Sequence, residues 1–313
     1  MWASLSKSDE AARRARVPLP SQPTAAASEE FARTSNRLTV HDYLPRTFHD
    51  GTGAPGKCEW SSHVRVDLSL EEAGALAWVL IDTIMAVRFG PAAHLYAEWR
   101  RNTLAGTRIA APLDRVIGAF VEPVFGLPGS AKSDDHLHGH VGEWLWHLLT
   151  KDNPAVRVQP DPKGDITDAG GDGFSIYEAG TGDLRFRLWE SKKNTGTGSL
   201  TASLNKAYAQ LDDEGQRYVA KIVGTFSGVS SDTSKDVMAL VTELPAAWVQ
   251  GDEVVGAGVM LATHQHLPAT PFAGMAGKLP LLNKPGQLRG LAASISCYVE
   301  IATMVRSYAW TAL

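Results

Sequence analysis

Leu184-Arg185-Phe186-Arg187-Leu188-Trp189-Glu190-Ser191-Lys192-Lys193 alternates apolar and polar residues as a half-buried strand does. The alternation puts Glu190 and Lys192 on one face near the strand's end and Lys193 on the other. An acid and an amine held side by side suit metal-assisted phosphodiester cleavage. The carboxylate holds a hard divalent cation, and the amine stabilises developing phosphate charge or orients the attacking water. Glu-x-Lys is also common as solvated charge on surface strands, so the flanking sequence decides what this pair is for.

Upstream, Gly173-Phe174-Ser175-Ile176-Tyr177-Glu178 reads as a strand, and Ala179-Gly180-Thr181-Gly182-Asp183 as the loop joining it to the first stretch. Paired as a hairpin, the two bring Asp172 near Glu190. Two carboxylates there can share one or two Mg²⁺ or Mn²⁺ ions, with the Ser191 carbonyl completing the oxygen set. Gly171 and Gly173, flanking Asp172, permit a bend and close approach of a substrate backbone. Asp and Gly are equally the commonest residues of a plain polar turn.

A helix starts at Ser133-Asp134-Asp135 and ends near Thr150, with Pro154 just beyond. At about 100° per residue, His136, His140, Glu143 and His147 share one stripe. Leu137, Val141, Trp144, Leu145 and Leu148 form the adjoining apolar stripe. Glu143 is thereby a third acid that can face the strand ends. The histidines lack the spacing of a recognised zinc site and read as a solvated face, the alternative being a zinc hydrolase. His264-Gln265-His266 reads as a strand end entering a loop.

Elsewhere, Val64–Leu68 alternates like a strand, and Ser69 caps a helix from about Leu70 to Phe89 with Glu71 and Glu72 in its first turn. A second helix spans about Ala92 to Asn102. Beyond the hairpin the pattern predicts a helix over about Leu200–Leu211, buried strands at Val237–Val241 and Val254–Ala262, and a long helix from about Leu288 to Tyr308. Val156–Gln159 reads as a short strand. Residues 1–37, rich in Ala, Ser, Pro and Arg, read as a flexible N-terminal arm whose Arg13, Arg14 and Arg16 can touch nucleic acid or a partner. Residues 38–132 read as a mainly helical scaffold or partner-docking portion, and 133–313 as the domain carrying the chemistry.

The 313 residues suffice for a large core. A net charge of −4 supplies no global pull toward nucleic acid, and basic and acidic residues nearly balance between Lys151 and Lys206. Delivery of substrate therefore falls to dimerisation, a basic first portion or a protein partner. Cys58 and Cys297 form no metal-ligand spacing. With no signal peptide or membrane-spanning run legible, the expected setting is the cytoplasm.

Helix with Glu143, strand, Asp172 strand, Glu190-Ser191-Lys192 strand, then helix: over about residues 133 to 265 this order resembles the core of the PD-(D/E)XK nuclease superfamily. The resemblance implies an α/β fold with a restriction-endonuclease-like core, a central mixed sheet flanked by helices, preceded by the mainly helical portion. It implies a Mg²⁺-dependent endodeoxyribonuclease, with Mn²⁺ as a substitute. Asp172 and Glu190 would bind metal, helped by the Ser191 carbonyl, Lys192 would be the catalytic lysine, and Glu143 would bind metal or orient the attacking water. Gly171 stands where the superfamily often has proline, so Asp165 or Asp168 can take the aspartate's role, and Lys193 competes with Lys192. Lys206 and Gln210, four apart on the next helix, can reach a phosphate or form a solvated pair. In layout the chain is similar to nuclease subunits of bacterial anti-phage systems such as the helicase-partnered Hachiman type. A nuclease-fold protein without activity, serving as an interaction module, is the alternative. Such a protein would usually have lost Glu190 or Lys192.

Overall fold

Val255–Thr263 is an unbroken apolar run of small and branched residues, as a strand buried on both faces requires, and it forms the middle of a seven-stranded sheet. The computed structural model describes residues 39–49, 58–126, 134–162, 171–180, 182–226 and 234–313. In chain order the front portion holds α1 (Val40–Tyr43), β1 (Arg46–His49), β2 (Glu59–Arg65), α2 (Leu70–Phe89), α3 (Ala93–Ala105) and α4 (Leu113–Phe125). There follow α5 (Asp134–Lys151), β3 (Val156–Val158), β4 (Gly173–Glu178), β5 (Leu184–Asn194) and α6 (Leu200–Phe226). The chain closes with α7 (Lys235–Gln250), β6 (Val255–Thr263), α8 (Met275–Lys278), β7 (Leu288–Ile295) and α9 (Tyr298–Trp310).

The strand order is β1-β2-β7-β6-β5-β4-β3. Strands β2, β7, β6 and β5 run parallel, with antiparallel β1 on one edge and antiparallel β4 and β3 on the other. The sheet is mixed and covered on both faces, an α/β architecture. On one face α2, α5 and α9 pack over Trp189, Met260, Ala262, Leu291 and Ala293, with α3 and α4 behind them. On the other, α6, α7 and α8 cover Phe186, Leu188, Val259, Leu261 and Ala292. Alternate residues of β5 thus face opposite layers, so Glu190 and Lys192 belong to the α6 side and Ser191 and Lys193 to the α5 side.

Strands β1 and β2 extend the same sheet that carries β5, because β2 pairs with β7 across seven residues of register. The sheet therefore runs across the boundary expected at 132/133. The N-terminal arm, Ser133, Asp165 and Asp168 lie outside the described residues. No described helix is long and apolar enough to cross a membrane.

Four elements depart from the sequence reading. Val237–Val241 is helical: Ser234 caps α7, its Oγ accepting from the Val237 N–H at 3.4 Å, and Val237, Val241, Leu244 and Trp248 recur on the buried side. Leu288–Ile295 is the strand β7, and helix begins only at Tyr298. Helix α6 runs on from Leu211 to Phe226. The strand placed at Val64–Leu68 is Glu59–Arg65, whose polar centre is buried with partners: Ser62 Oγ meets His49 Nε2 and the His63 ring meets the Leu44 carbonyl, both at 2.8 Å.

Candidate active site

The β4–β5 hairpin pairs Gly173 with Trp189 as its last step. One residue further, Asp172 stands opposite Glu190. Gly173 is required by packing: a Cβ there would lie 2.2 Å from the Trp146 ring of α5. At Gly171 a Cβ would meet Leu188 at 3.0 Å and Tyr218 at 3.3 Å. The space expected to admit a substrate backbone is thus filled by the protein's own side chains. The glycines instead draw α5 and α6 in around Asp172.

Asp172 is held in place by its chain neighbour across the hairpin, accepting the Ser191 N–H at 2.5 Å through Oδ2. Its carboxyl is within hydrogen-bonding reach of Glu190. Glu190 is 1% exposed. Its Oε1 accepts from Lys192 Nζ, while Oε2 is buried with no hydrogen-bond partner. Lys192 also donates to Gln210 Oε1 at 2.9 Å, and Gln210 Nε2 donates to the Tyr218 hydroxyl at 3.2 Å. Lys193, on the other face, donates to Asp135 of α5. Helix α5 reaches the site through Gly142, where a Cβ would touch the Tyr298 hydroxyl at 3.2 Å, Ala262 at 3.5 Å and Ser191 Oγ at 3.6 Å. That contact sets Glu143 beside the two strand carboxyls, whose charges it feels.

Burial dominates the electrostatics. It pushes the Glu190 carboxyl up to about 8, with the Asp172 charge adding to the rise and Lys192 opposing it. Burial, then Asp172 and Glu190, holds the Glu143 carboxyl well above the usual carboxylate range. Burial also works against the Lys192 ammonium, but the Glu190 carboxylate outweighs it by charge and hydrogen bond, so the ammonium is held above its usual range.

This is a buried cluster of three acids with one lysine, short of positive charge. A divalent cation fits it: it would relieve the repulsion between carboxylates and give the orphaned Glu190 Oε2 a partner. Among the described residues, no group of three or more His, Cys, Asp or Glu side chains is placed to hold a metal unaided. The donor set that fits is therefore two carboxylates, a backbone carbonyl and water, a composition suited to Mg²⁺.

The histidine stripe divides along its length. His136 is exposed, and His140 packs edge-on against Phe125 and Trp144 in the core. His147 is fully buried, with Nε2 3.1 Å from Asp161 Oδ1 and Nδ1 3.3 Å from Gln159 Nε2. The expected solvated face therefore holds only for His136, because neighbouring helices and the loop after β3 cover the rest. His264 and His266 follow the end of β6, and Lys206 is exposed while Gln210 turns inward to Lys192. Tyr218 escapes the sequence reading, which stops the helix at Leu211. Its signal is the eight-residue step from Gln210, which returns to the same helix face.

No protein-family model and no curated protein sequence matches the chain.

Proposed function

We propose that this chain is a metal-dependent nuclease with a restriction-endonuclease-like core, hydrolysing phosphodiester bonds of DNA. One observation carries the reading: Asp172 and Glu190 converge across adjacent strands, Lys192 is bonded to Glu190 from the same strand face, and Glu143 joins from α5. Asp172 and Glu190, with the Ser191 carbonyl, would hold Mg²⁺ or Mn²⁺, and Glu143 would assist through metal-bound water. When bound, the ion supplies Lewis acidity at the phosphate and lowers the pKa of water. Lys192, kept charged by Glu190 and oriented by Gln210, stabilises negative charge accumulating on the phosphate. Glu143, biased toward its protonated form, is placed to accept or return a proton as the carboxylate cluster changes charge.

The charge balance supports a partner that brings substrate, a second copy or a protein such as a helicase. The layout resemblance makes bacterial anti-phage defence the proposed setting and the cytoplasm the proposed compartment. Retention of both Glu190 and Lys192 speaks against an inactive interaction module. The test is cleavage of plasmid and single-stranded DNA with Mg²⁺ and with Mn²⁺, comparing the parent with Glu190→Ala and Lys192→Ala. Loss in both variants is expected, and unchanged cleavage in both overturns the reading.

A further inference from the structure

Lys192 carries its charge on a long, flexible stem, so a fixed position has to be imposed by its partners. Its ammonium has three donors. One goes to Glu190 Oε1 on the same strand, and a second goes to Gln210 Oε1 of α6 at 2.9 Å. Because the ammonium only donates, that second bond requires the carbonyl side of the Gln210 amide to face it. A half-turn of the amide would set its NH₂ group against the ammonium and release the lysine.

One residue opposes that rotation. Gln210 Nε2 donates at 3.2 Å to the hydroxyl of Tyr218, about two turns further along α6. Tyr218 is 3% exposed, and its ring stands 3.3 Å from where a Cβ of Gly171 would lie. The ring packs in the apolar layer between the sheet and α6, α7 and α8. The hydroxyl is therefore delivered by a ring that its neighbours hold still. Glu190, Lys192, Gln210 and Tyr218 form one chain of direct hydrogen bonds joining β5 to α6. A tyrosine kept for packing alone needs only its ring, which phenylalanine would supply.

We propose that Tyr218 is a positioning residue for Lys192, acting through Gln210 to fix the ammonium beside Glu190. The hydroxyl supplies no group to the reaction. It keeps the Gln210 carbonyl turned to the lysine, so that two of the three ammonium donors are committed and the third serves a phosphate oxygen. The role of Lys192 in cleavage rests on the nuclease reading, whereas the hydrogen-bond chain stands without it. One net hydrogen bond of this kind is worth about fivefold in an equilibrium, which sets the size of the effect.

The test uses the full chain with Tyr218→Phe, which keeps the ring against Gly171 and removes only the hydroxyl. Lysines are acetylated with acetic anhydride at one pH, in EDTA and without DNA, and read residue by residue by mass spectrometry. Lys192 is expected to react about threefold faster, or more, than in the parent. Lys193, bonded to Asp135 instead, is expected to react at an unchanged rate. In DNA cleavage with Mg²⁺, the same variant is expected to lower kcat about fivefold, with KM within about twofold. Adding Gln210→Ala should then cost less than about twofold more, since both changes break one chain. Additive losses or an unchanged Lys192 acetylation rate overturn the proposal. So does equal acceleration at both lysines, which marks general loosening of the fold. Should the parent cut no DNA, the nuclease reading fails by itself, and the acetylation rates still decide whether Tyr218 fixes Lys192.

Discussion

Asp172 and Glu190 face each other one step beyond the end of the β4–β5 pairing, and the Glu190 carboxyl, nearly sealed from solvent, is pushed up to about 8 by burial and by Asp172. Two acids kept this close cannot both ionise cheaply without a cation between them. The pH dependence and the metal response expected of the protein both derive from that pair.

The first consequence is a stability that falls as pH rises. Glu190 binds its proton more tightly folded than unfolded, so between its ordinary value of 4.5 and about 8 the native state carries the extra proton. Its stabilising contribution is complete below 4.5 and lost as pH rises toward about 8. Glu143, shifted in the same direction, adds to the slope. Measured without metal, Glu190→Gln is expected to gain on the parent by about 1–3 kcal/mol between pH 5 and pH 8. Parallel stability–pH curves for the two proteins would contradict this.

Metal should reverse that penalty. Mg²⁺ is expected to raise the melting temperature of the parent at pH 8, by about 2.7 kcal/mol of stability at a hundredfold excess over Kd. Asp172→Asn and Glu190→Gln should lose most of the response. Differential scanning fluorimetry with and without EDTA measures it.

How much of this was legible in the sequence depended on whether local pattern and burial agreed. Strand β5 was readable to within one residue because its polar and apolar positions alternate, but Phe186 to Glu190 are buried on both faces and not half-buried as the alternation suggests. Strand β7 was not, since a central parallel strand is apolar on both faces, and Leu288–Ile295 then shows neither period. Its Gly290 makes room for the Phe272 ring, 2.4 Å from where a Cβ would sit, a tertiary demand invisible locally. The apolar run Val237–Val241 resembles a buried strand until the cap at Ser234 and the continuation through Trp248 are read with it. At the site, Glu190, Lys192 and Asp172 followed from strand alternation and hairpin register. Gln210 as the partner of Lys192 did not, because that contact joins two elements.

Gln210 accepts from Lys192 at 2.9 Å, and under the proposed function it is a positioning residue acting through that lysine. Gln210→Ala removes an acceptor that steadies the ammonium, so kcat is expected to fall about tenfold with KM little changed. The alkaline limb of the pH–rate profile should move to lower pH, and Gln210→Glu should restore it. A purely structural role would leave that limb in place.

Gly173 tests the packing that brings α5 to the strands. Gly173→Ala drives a methyl group into Trp146 and is expected to cost about 1–3 kcal/mol. Adding Trp146→Leu should recover part of the loss in denaturant unfolding, because the ring that blocks the methyl group is gone. Equal stability of parent and Gly173→Ala would show that α5 sits elsewhere.

The two lysines at the end of β5 provide the most direct test of the central claim. Lys192 is bonded to Glu190 and Gln210, whereas Lys193 points across the sheet to Asp135. Single-turnover cleavage of DNA in Mg²⁺ should be slowed by at least about a hundredfold in Lys192→Ala, the range for a lost electrostatic stabiliser, and change by less than about threefold in Lys193→Ala. Equal rates in parent and Lys192→Ala, or a loss confined to Lys193→Ala, would contradict the account.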